Sequence, residues 1–181
     1  GVDSHHPVSA PATHDATVVG RTGDRRQSDP GYTPVLPGCF YVPMRLDHVV
    51  YAAEPDGLDG TAARLAGALS ADFVDGGVHP GFGTRNKILP LANGHYLEVV
   101  EVLDHPAVDK MPFGQAVRAR SAEGGGWLGW VVAVDDIHPV EARLGRAAYD
   151  GHRTRPDGVE LFWRQIGVTG LMNDPQLPFF I

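Results

Sequence analysis

The sequence has a single cysteine, Cys39, among its 181 residues. One thiol excludes an internal disulfide framework and a cysteine-based zinc cluster, and it fits a reducing compartment such as the cytoplasm. No segment approaches the roughly 20 consecutive apolar residues that cross a bilayer, and the N-terminus lacks the basic start and apolar stretch of a signal peptide. We therefore expect a soluble, cytoplasmic protein that does not interact with membranes.

Basic residues are also scarce. Lys and Arg number 15 against 22 Asp and Glu, which gives a formal net charge of −7. No basic run alternates with aromatic residues, as it would on a surface that binds nucleic acid, so nucleic acid is excluded as a partner. A serine nucleophile in its usual strand–turn–helix context is absent as well, which argues against covalent serine catalysis.

Composition divides the chain into two parts. Residues 1–43 are rich in Pro, Gly, Ser, Thr and Asp and lack apolar periodicity, so we expect a largely irregular extension that cannot bury enough apolar surface to offset its ordering entropy. Residues 44–181 are long enough for one substantial core. We expect that core to be a single domain.

Within residues 44–181 one pattern occurs twice. The first copy, residues 44–104, reads as a strand, a helix capped by Asp59 or Thr61 with a stripe ending at Leu69, and three strands joined by turns such as Asn93–Gly94. A connecting helix follows. The second copy, residues 127–181, repeats a strand, a short helix and a further strand, and ends in "LPFFI". The pattern predicts an α+β fold of two βαβββ modules packed together.

The glycines of "HPGFGTRN" do not form a phosphate-binding loop. A dinucleotide fingerprint needs three spaced glycines that open a helix, whereas Gly81 and Gly83 lead into "KILPL", which has strand character. We interpret these two glycines as a bend between strands.

The strongest chemical signal is the pair His48 and Glu98. Strand alternation places His48 beside Leu46 and Val50, and Glu98 beside Val100, so that both polar groups project among apolar neighbours. A buried carboxylate must be paired, hydrogen-bonded or bound to a cation. A shared Zn, Ni, Mn or Fe ion is one solution. A metal-free hydrogen bond between the two residues, or with Arg164, is the other.

Four further residues are candidates for substrate binding. Asn86 lies on the same strand face as Ile88 and could orient a carbonyl or carboxylate, whereas Arg85 points to the opposite face and could pair with an anion or remain a surface charge. Trp163 and Arg164 also alternate, so one of them should pack in the core while the other faces the cavity or pairs with Glu160.

The segments "RLDHVVYAA", "HPGFGTRNKILPLANGHYLEVVEV", "GWVVAVDD", "ELFWRQIG" and "LPFFI" resemble a glyoxalase-like domain of the vicinal oxygen chelate (glyoxalase, bleomycin resistance and extradiol dioxygenase) superfamily. The resemblance covers residues 44–181. It implies two βαβββ modules whose mixed sheets curl around a shared cavity, often with a divalent metal. It assigns His48 and Glu98 as metal ligands and places Gly129 at the position where module two should supply another ligand. His79 is the first candidate to substitute for that missing ligand.

The resemblance implies a small-molecule enzyme with lyase, isomerase or oxygenase-type chemistry on a carbonyl or vicinal-oxygen compound, in which Glu98 moves a proton. The alternative is a non-catalytic binding protein of the antibiotic-resistance type, which the missing ligand at Gly129 and the aromatic residues favour. We place Trp127 and Trp130 mainly in the core. We expect a homodimer.

Overall fold

The computed structural model describes residues 43–171, 174 and 176–181. Apart from Pro43, the predicted N-terminal extension lies outside these residues. The described strands are β1 Met44–Ala52, β2 Val74–His79, β3 Thr84–Pro90, β4 Tyr96–Val102, β5 Gly126–Val134, β6 Tyr149–Thr154, β7 Glu160–Gln165 and β8 Phe179–Phe180. The described helices are α1 Gly57–Leu69, α2 Ala107–Lys110, α3 Pro112–Ala122, α4 His138–Leu144 and α5 Val168–Leu171.

The described strands form one sheet in the order β7-β6-β2-β3-β4-β1-β5-β8. Each module contributes four strands, and the modules meet where β1 pairs with β5 and where β2 pairs with β6. The two edges of the sheet approach each other at Ile166 and Phe180, whose backbones exchange hydrogen bonds of 3.0 and 2.8 Å. The sheet therefore curls nearly into a barrel, which confirms the predicted α+β fold of two βαβββ modules.

Side-chain alternation gives this barrel an interior and an exterior packing face. In the interior, Val100 of β4 packs with Phe113 of α3 and with apolar residues of both modules. On the exterior, Leu97 of β4 packs against Leu58 of α1, and Val140 of α4 covers the corresponding part of module two. Rings of this interior apolar cluster also contact the polar residues of the same face: Phe179 lies next to His48 and Phe113 next to His79.

The turn at Asn93–Gly94 has the conformation that the sequence predicts. Both residues have positive φ, 60° and 78°, and the N–H of His95 donates to the carbonyl of Ala92 over 3.3 Å. Asn and Gly tolerate this backbone better than other residues, which is why the pair marks hairpins. The turn brings β3 and β4 together as antiparallel neighbours.

The predicted start of the first helix is wrong by a few residues. Helix α1 begins at Gly57, and neither Asp59 nor Thr61 is its N-cap. A distant residue satisfies the free amide instead: the N–H of Leu58 donates to Glu101 Oε2 over 2.8 Å. No helix among the residues that the structure describes is long and apolar enough to cross a bilayer.

The two tryptophans of β5 are not core residues, contrary to expectation. Trp127 is 60% exposed and Trp130 is 37% exposed. Trp127 contacts the edge of Tyr51 with ring centroids 5.2 Å apart, and Trp130 Nε1 donates to the carbonyl of Gln176 over 3.0 Å. Leu69, the last residue of the predicted helical stripe, is also exposed. Amphipathic patterning overstated the width of the buried face in both elements.

Gly77 lies at the seam where β2 meets β6. Its φ is 127°, and a Cβ placed on it would collide with the backbone carbonyl oxygen of Thr154. We expect Gly77→Ala to lower the free energy of unfolding by about 2 kcal/mol more than a glycine-to-alanine replacement whose Cβ meets no neighbouring atom. The reason is that the backbone at this seam cannot move without separating the modules.

Gly124→Ala is the matched control in urea unfolding. Gly124 also has a positive φ, 101°, but a Cβ there would meet no atom within 4 Å. The difference between the two variants therefore isolates the seam contact from backbone strain. Equal losses of stability would show that β2 and β6 do not hold the barrel together at this point.

Candidate active site

The carboxylate of Glu98 is the centre of a buried polar cluster in the barrel interior. Glu98 is only 4% exposed. Its Oε1 accepts a hydrogen bond from Asn86 Nδ2 at 2.6 Å and lies 4.0 Å from His79 Nε2, while its Oε2 lies 3.7 Å from His48 Nε2. The structure thus brings together four of the residues that the sequence singled out.

The parallel pairing of β1 with β4 explains the contact between His48 and Glu98. In this register His48 pairs with Tyr96, and Val50 pairs with Glu98, so the two polar side chains lie diagonally on one face. The imidazole of His48 also stacks on the ring of Tyr96, with centroids 4.3 Å apart and planes 13° apart. Stacking and pairing together fix the direction of His48 Nε2.

A β-bulge adds Asp47 to the cluster. The register between β1 and β5 shifts between Leu46 and His48, and both Asp47 and His48 are buried although they are consecutive. Asp47 Oδ2 lies 2.9 Å from His48 Nδ1, and its Oδ1 accepts from Arg45 Nη1 at 2.8 Å. A regular strand would point Asp47 to the other face, so alternation alone could not find it.

His79, at the end of β2, faces Glu98 from the other side. Its Nδ1 is 3.0 Å from Thr84 Oγ1, and its ring makes edge contacts with Phe113 and Trp163, at centroid distances of 6.4 and 6.0 Å. Both His48 and His79 therefore have Nδ1 held by a protein oxygen and Nε2 directed at the same carboxylate. Thr84 was also missed by sequence reasoning, because it lies at the turn and carries no charge.

Asn86 holds Glu98 through a closely packed amide. Its Nδ2 donates to Glu98, whereas its buried Oδ1 has no hydrogen-bond partner among the described residues. A Cβ on Gly76 would collide with that oxygen, so glycine at this position leaves room for the amide. Sequence reasoning selected Asn86 correctly by its strand face, and its predicted role in substrate binding stays a prediction.

The charges of the cluster stabilise one another. Burial alone would raise the pKa of Glu98, but the hydrogen bond and charge of His48, the charge of His79 and the hydrogen bond from Asn86 lower it to about 2. Burial opposes the charged form of His48 too, yet its contacts with Asp47 and Glu98 raise the pKa of His48 above its ordinary value. Burial lowers the pKa of His79 to about 4. At neutral pH, Glu98 is thus ionised and His79 is neutral.

Arg85 and Arg164 lie outside the cluster, on the exterior of the sheet. Arg85 pairs with Glu101 of the neighbouring strand. Arg164 Nη2 donates to Glu141 Oε1 of α4 at 2.8 Å. The predicted pairing of Arg164 with Glu160 and the metal-free alternative in which Arg164 pairs with Glu98 are therefore both wrong. The placement of the two arginines lends no support to their predicted substrate contacts, which stay predictions.

Trp163 faces the barrel interior, whereas its neighbour Arg164 faces the exterior of the sheet. Its ring centroid lies 6.0 Å from that of His79, and its Nε1 donates to Gln165 Oε1 at 2.7 Å. Its indole also covers Gly151 on β6, where a Cβ would lie 2.6 Å from the ring. A surface depression of about 470 Å³ is lined by residues 150–152 of β6 and 162–164 of β7, and His48, His79, Asn86 and Glu98 are not among its lining residues.

Strand β5 contributes an apolar residue next to His48. Val131 pairs with His48, whereas Gly129 pairs with Val50. A Cβ on Gly129 would lie 2.7 Å from the side chain of Leu171. Neither Val131 nor Gly129 has a side chain that binds a metal, so β5 supplies no ligand at these positions.

The donor types in the cluster fit a divalent metal. Two imidazole Nε2 atoms and one carboxylate suit Zn, Ni, Mn or Fe, and a carboxylate behind a ligating histidine, as Asp47 is behind His48, is a usual outer partner. However, no group of three or more His, Cys, Asp or Glu side chains within the described part of the chain is close enough to hold an ion. The residues fit by chemistry and do not form a preassembled cage.

Comparison with known families identifies the class of protein. The glyoxalase-like domain family matches residues 46–181. The chain belongs to this family, and with it to the vicinal oxygen chelate superfamily, as its sequence predicts. None of the curated proteins matches the chain.

Solved structures agree with the fold. A hypothetical protein from Staphylococcus aureus matches with a TM-score of 0.60 and 19% identity over 76% of this chain and 58% of that one, so the chain spans less than two thirds of that protein's length. Methylmalonyl-CoA epimerase from Mycobacterium tuberculosis (TM-score 0.47, 15% identity, 75% and 83% coverage) also matches. So does a variant of Streptomyces coelicolor methylmalonyl-CoA epimerase in complex with 2-nitronate-propionyl-CoA (TM-score 0.48, 18% identity, 75% and 94% coverage).

Proposed function

We propose that the protein is a small-molecule enzyme of the lyase or isomerase type that transfers a proton at a carbon next to a carbonyl group. The observation that carries the proposal is the buried contact between Glu98 and His48, with Asp47 behind the histidine. An ionised carboxylate beside an imidazole that holds its proton tightly is a paired base and acid. Such a pair favours proton transfer over oxygenase-type chemistry.

In the proposed reaction Glu98 is the base. Its carboxylate takes a proton from the substrate carbon, the electrons of the C–H bond move to the carbonyl oxygen, and that oxygen accepts the proton of His48 Nε2. The low pKa of Glu98 does not prevent this step, because the pKa is low largely through His48. As His48 gives up its proton to the substrate, Glu98 loses that stabilisation and becomes more basic. Reversal returns a proton to the carbon.

A divalent metal remains part of the proposal as a possible cofactor. His48 and Glu98 would hold it, with His79 as the third ligand, and its chemistry would be to polarise a substrate oxygen in place of the His48 proton. Asn86 would then keep one oxygen of Glu98 directed into the site. Zn, Ni, Mn and Fe are the candidates.

Deuterium exchange tests the proposal without a known substrate. In D₂O the enzyme should replace the C–H protons next to the carbonyl of at least one compound among 2-oxobutanoate, hydroxyacetone and dihydroxyacetone, which proton NMR detects. We expect Glu98→Gln to slow the exchange by at least about a hundredfold. Parallel reactions with EDTA and with each metal identify the cofactor. The absence of exchange above the buffer rate with every compound and metal would refute the proposal.

A second candidate is a binding protein that sequesters a small apolar compound. The apolar Val131 beside His48 and the ring of Phe179, with its centroid 6.4 Å from that of His48, favour it. A thermal-shift screen separates the candidates. Stabilisation by apolar compounds in the presence of EDTA favours the binding protein, whereas stabilisation by Zn, Ni, Mn or Fe that disappears in His48→Ala favours the enzyme. The predicted homodimer is a separate proposal, which light scattering can decide.

A further inference from the structure

Arg153 is an inward-facing arginine of β6 that sequence reasoning did not select. Gly151, two residues earlier on the strand, lies under the indole of Trp163. Tyr149, four residues earlier, contacts the ring of Phe82 with centroids 6.3 Å apart. Both of these positions face the barrel interior. Because side chains alternate along a strand, Arg153 faces the same interior.

The seam between the modules places Arg153 next to the polar cluster. Val78 of β2 pairs with Thr154 of β6 in an antiparallel register. The next positions, His79 and Arg153, therefore lie across from each other on the interior face, where facing Cβ atoms are about 5 Å apart. Burial lowers the pKa of His79, and the positive charge of Arg153 lowers it further. Burial raises the pKa of Tyr96, and the same charge opposes that rise, which agrees with this placement.

Arg153 has no counter-ion in the described part of the chain, although it is half-buried. The other basic residues around the sheet are paired: Arg45 with Asp47, Lys87 with Asp75 and Arg164 with Glu141. No ion pair or hydrogen bond joins the guanidinium of Arg153 to a described residue. An unpaired arginine on an outer surface needs no explanation, but one that faces a polar interior has donors available for an anion.

We propose that Arg153 binds a carboxylate of the substrate, and that the substrate is a small oxo acid whose carboxylate lies within two or three carbons of the reacting centre. This inference rests on the proposed function, because the reacting centre is the carbon at Glu98. His79, which lies across from Arg153, has its Nε2 4.0 Å from Glu98 Oε1, so this placement favours a carboxylate on the reacting molecule itself over a phosphate on a long chain. The planar guanidinium can donate two parallel hydrogen bonds to a carboxylate.

Two matched probes test the proposal. 2-Oxobutanoate and 2-butanone differ only in the carboxylate, and their binding can be followed by calorimetry. We expect 2-oxobutanoate to bind and Arg153→Gln to weaken its binding at least about tenfold, because a charge-assisted hydrogen bond is lost. Arg153→Lys should have an intermediate effect, since it keeps the charge but not the paired donors. Binding of 2-butanone should be the same in all of these proteins.

Arg143→Gln is the control for charge. Arg143 is an exposed residue near the C-terminus of α4, so its loss should leave 2-oxobutanoate binding unchanged. Inorganic phosphate is the competing anion. If phosphate displaces 2-oxobutanoate at a concentration lower than that of 2-oxobutanoate, the group that Arg153 binds is a phosphate ester and the proposed carboxylate is wrong. Equal affinity of wild type and Arg153→Gln, or no binding of 2-oxobutanoate to wild type at tens of millimolar, would overturn the proposal.

Failure of the proposed Arg153 site can be distinguished from failure of the proposed proton-transfer reaction. Binding that depends on Arg153 without any deuterium exchange would retain this site and reject the reaction. Exchange that depends on Glu98 but is indifferent to Arg153→Gln would retain the reaction and reject this site. Thermal melts of each variant show whether it is folded.

Discussion

Replacing Glu98 with alanine is expected to lower the free energy of unfolding by about 3–5 kcal/mol, which is the usual effect of removing one partner of a buried pair. The Asn86 amide would lose its acceptor, and His48 would lose the charge that faces its Nε2. Glu98→Gln should cost less, about 1–2 kcal/mol, because its amide oxygen still accepts from Asn86. Urea unfolding of the variants measures both changes.

Glu123→Ala is the control for this comparison. Glu123 carries the same charge, but its side chain is 73% exposed and its ion-pair partner among the described residues is Arg120. Its replacement should therefore change stability by no more than about 0.5 kcal/mol. If Glu98→Ala is as mild as Glu123→Ala, or if it raises stability, the carboxylate is not held by its neighbours in the way that the geometry indicates.

Acid is expected to destabilise the protein in two steps, the first of which belongs to His79. The pKa of His79 is about 4 in the folded protein, against 6.5 without burial. Between these values the unfolded chain binds a proton that the folded protein does not, so stability falls as the pH falls from 6.5 to 4. The difference in pKa corresponds to about 3 kcal/mol.

The second step belongs to Glu98. Its folded pKa of about 2 is below the ordinary 4.5, so the stability that it contributes is complete above 4.5 and is lost as the pH falls towards 2. His48 acts in the opposite direction: because its pKa is raised, its contribution is complete below 6.5 and is lost as the pH rises through its folded pKa. Stability should therefore be greatest near neutral pH.

Urea unfolding at pH 7, 5.5 and 4 tests the first step. His79→Gln should remove most of the decline between pH 6.5 and 4, since glutamine does not titrate. His138→Gln is the control, because the side chain of His138 is 74% exposed, and it should leave the decline intact. A decline that survives in His79→Gln would contradict the assignment of His79 as a buried neutral imidazole.

The central pair of the site could be predicted because both residues lie on strands with apolar neighbours two positions away. Alternation alone put His48 and Glu98 among these neighbours, and the parallel register of β1 with β4 brings the two residues together. Asp47 could not be predicted, because the bulge that turns it inward depends on pairing with β5.

The sequence did not predict strand β6 or the placement of Arg153, for a different reason. Its sequence, "YDGHRT", has no apolar alternation. The backbones of β7 and β2 supply its pairing, so its strand conformation is a tertiary effect that the local sequence does not encode. For β7 the sequence predicted that Trp163 and Arg164 lie on opposite faces, but it left open which of the two faces inward.

The proposed function requires that a ligand binds inside the barrel at the Glu98 cluster. Imidazole ¹⁵N NMR measures this, with a small carbonyl compound from the exchange experiment as ligand. We predict that the ring resonances of His48 and His79 shift on binding while those of the exposed His138 do not. Binding that shifts only exposed histidines and leaves His48 and His79 unchanged would contradict the account.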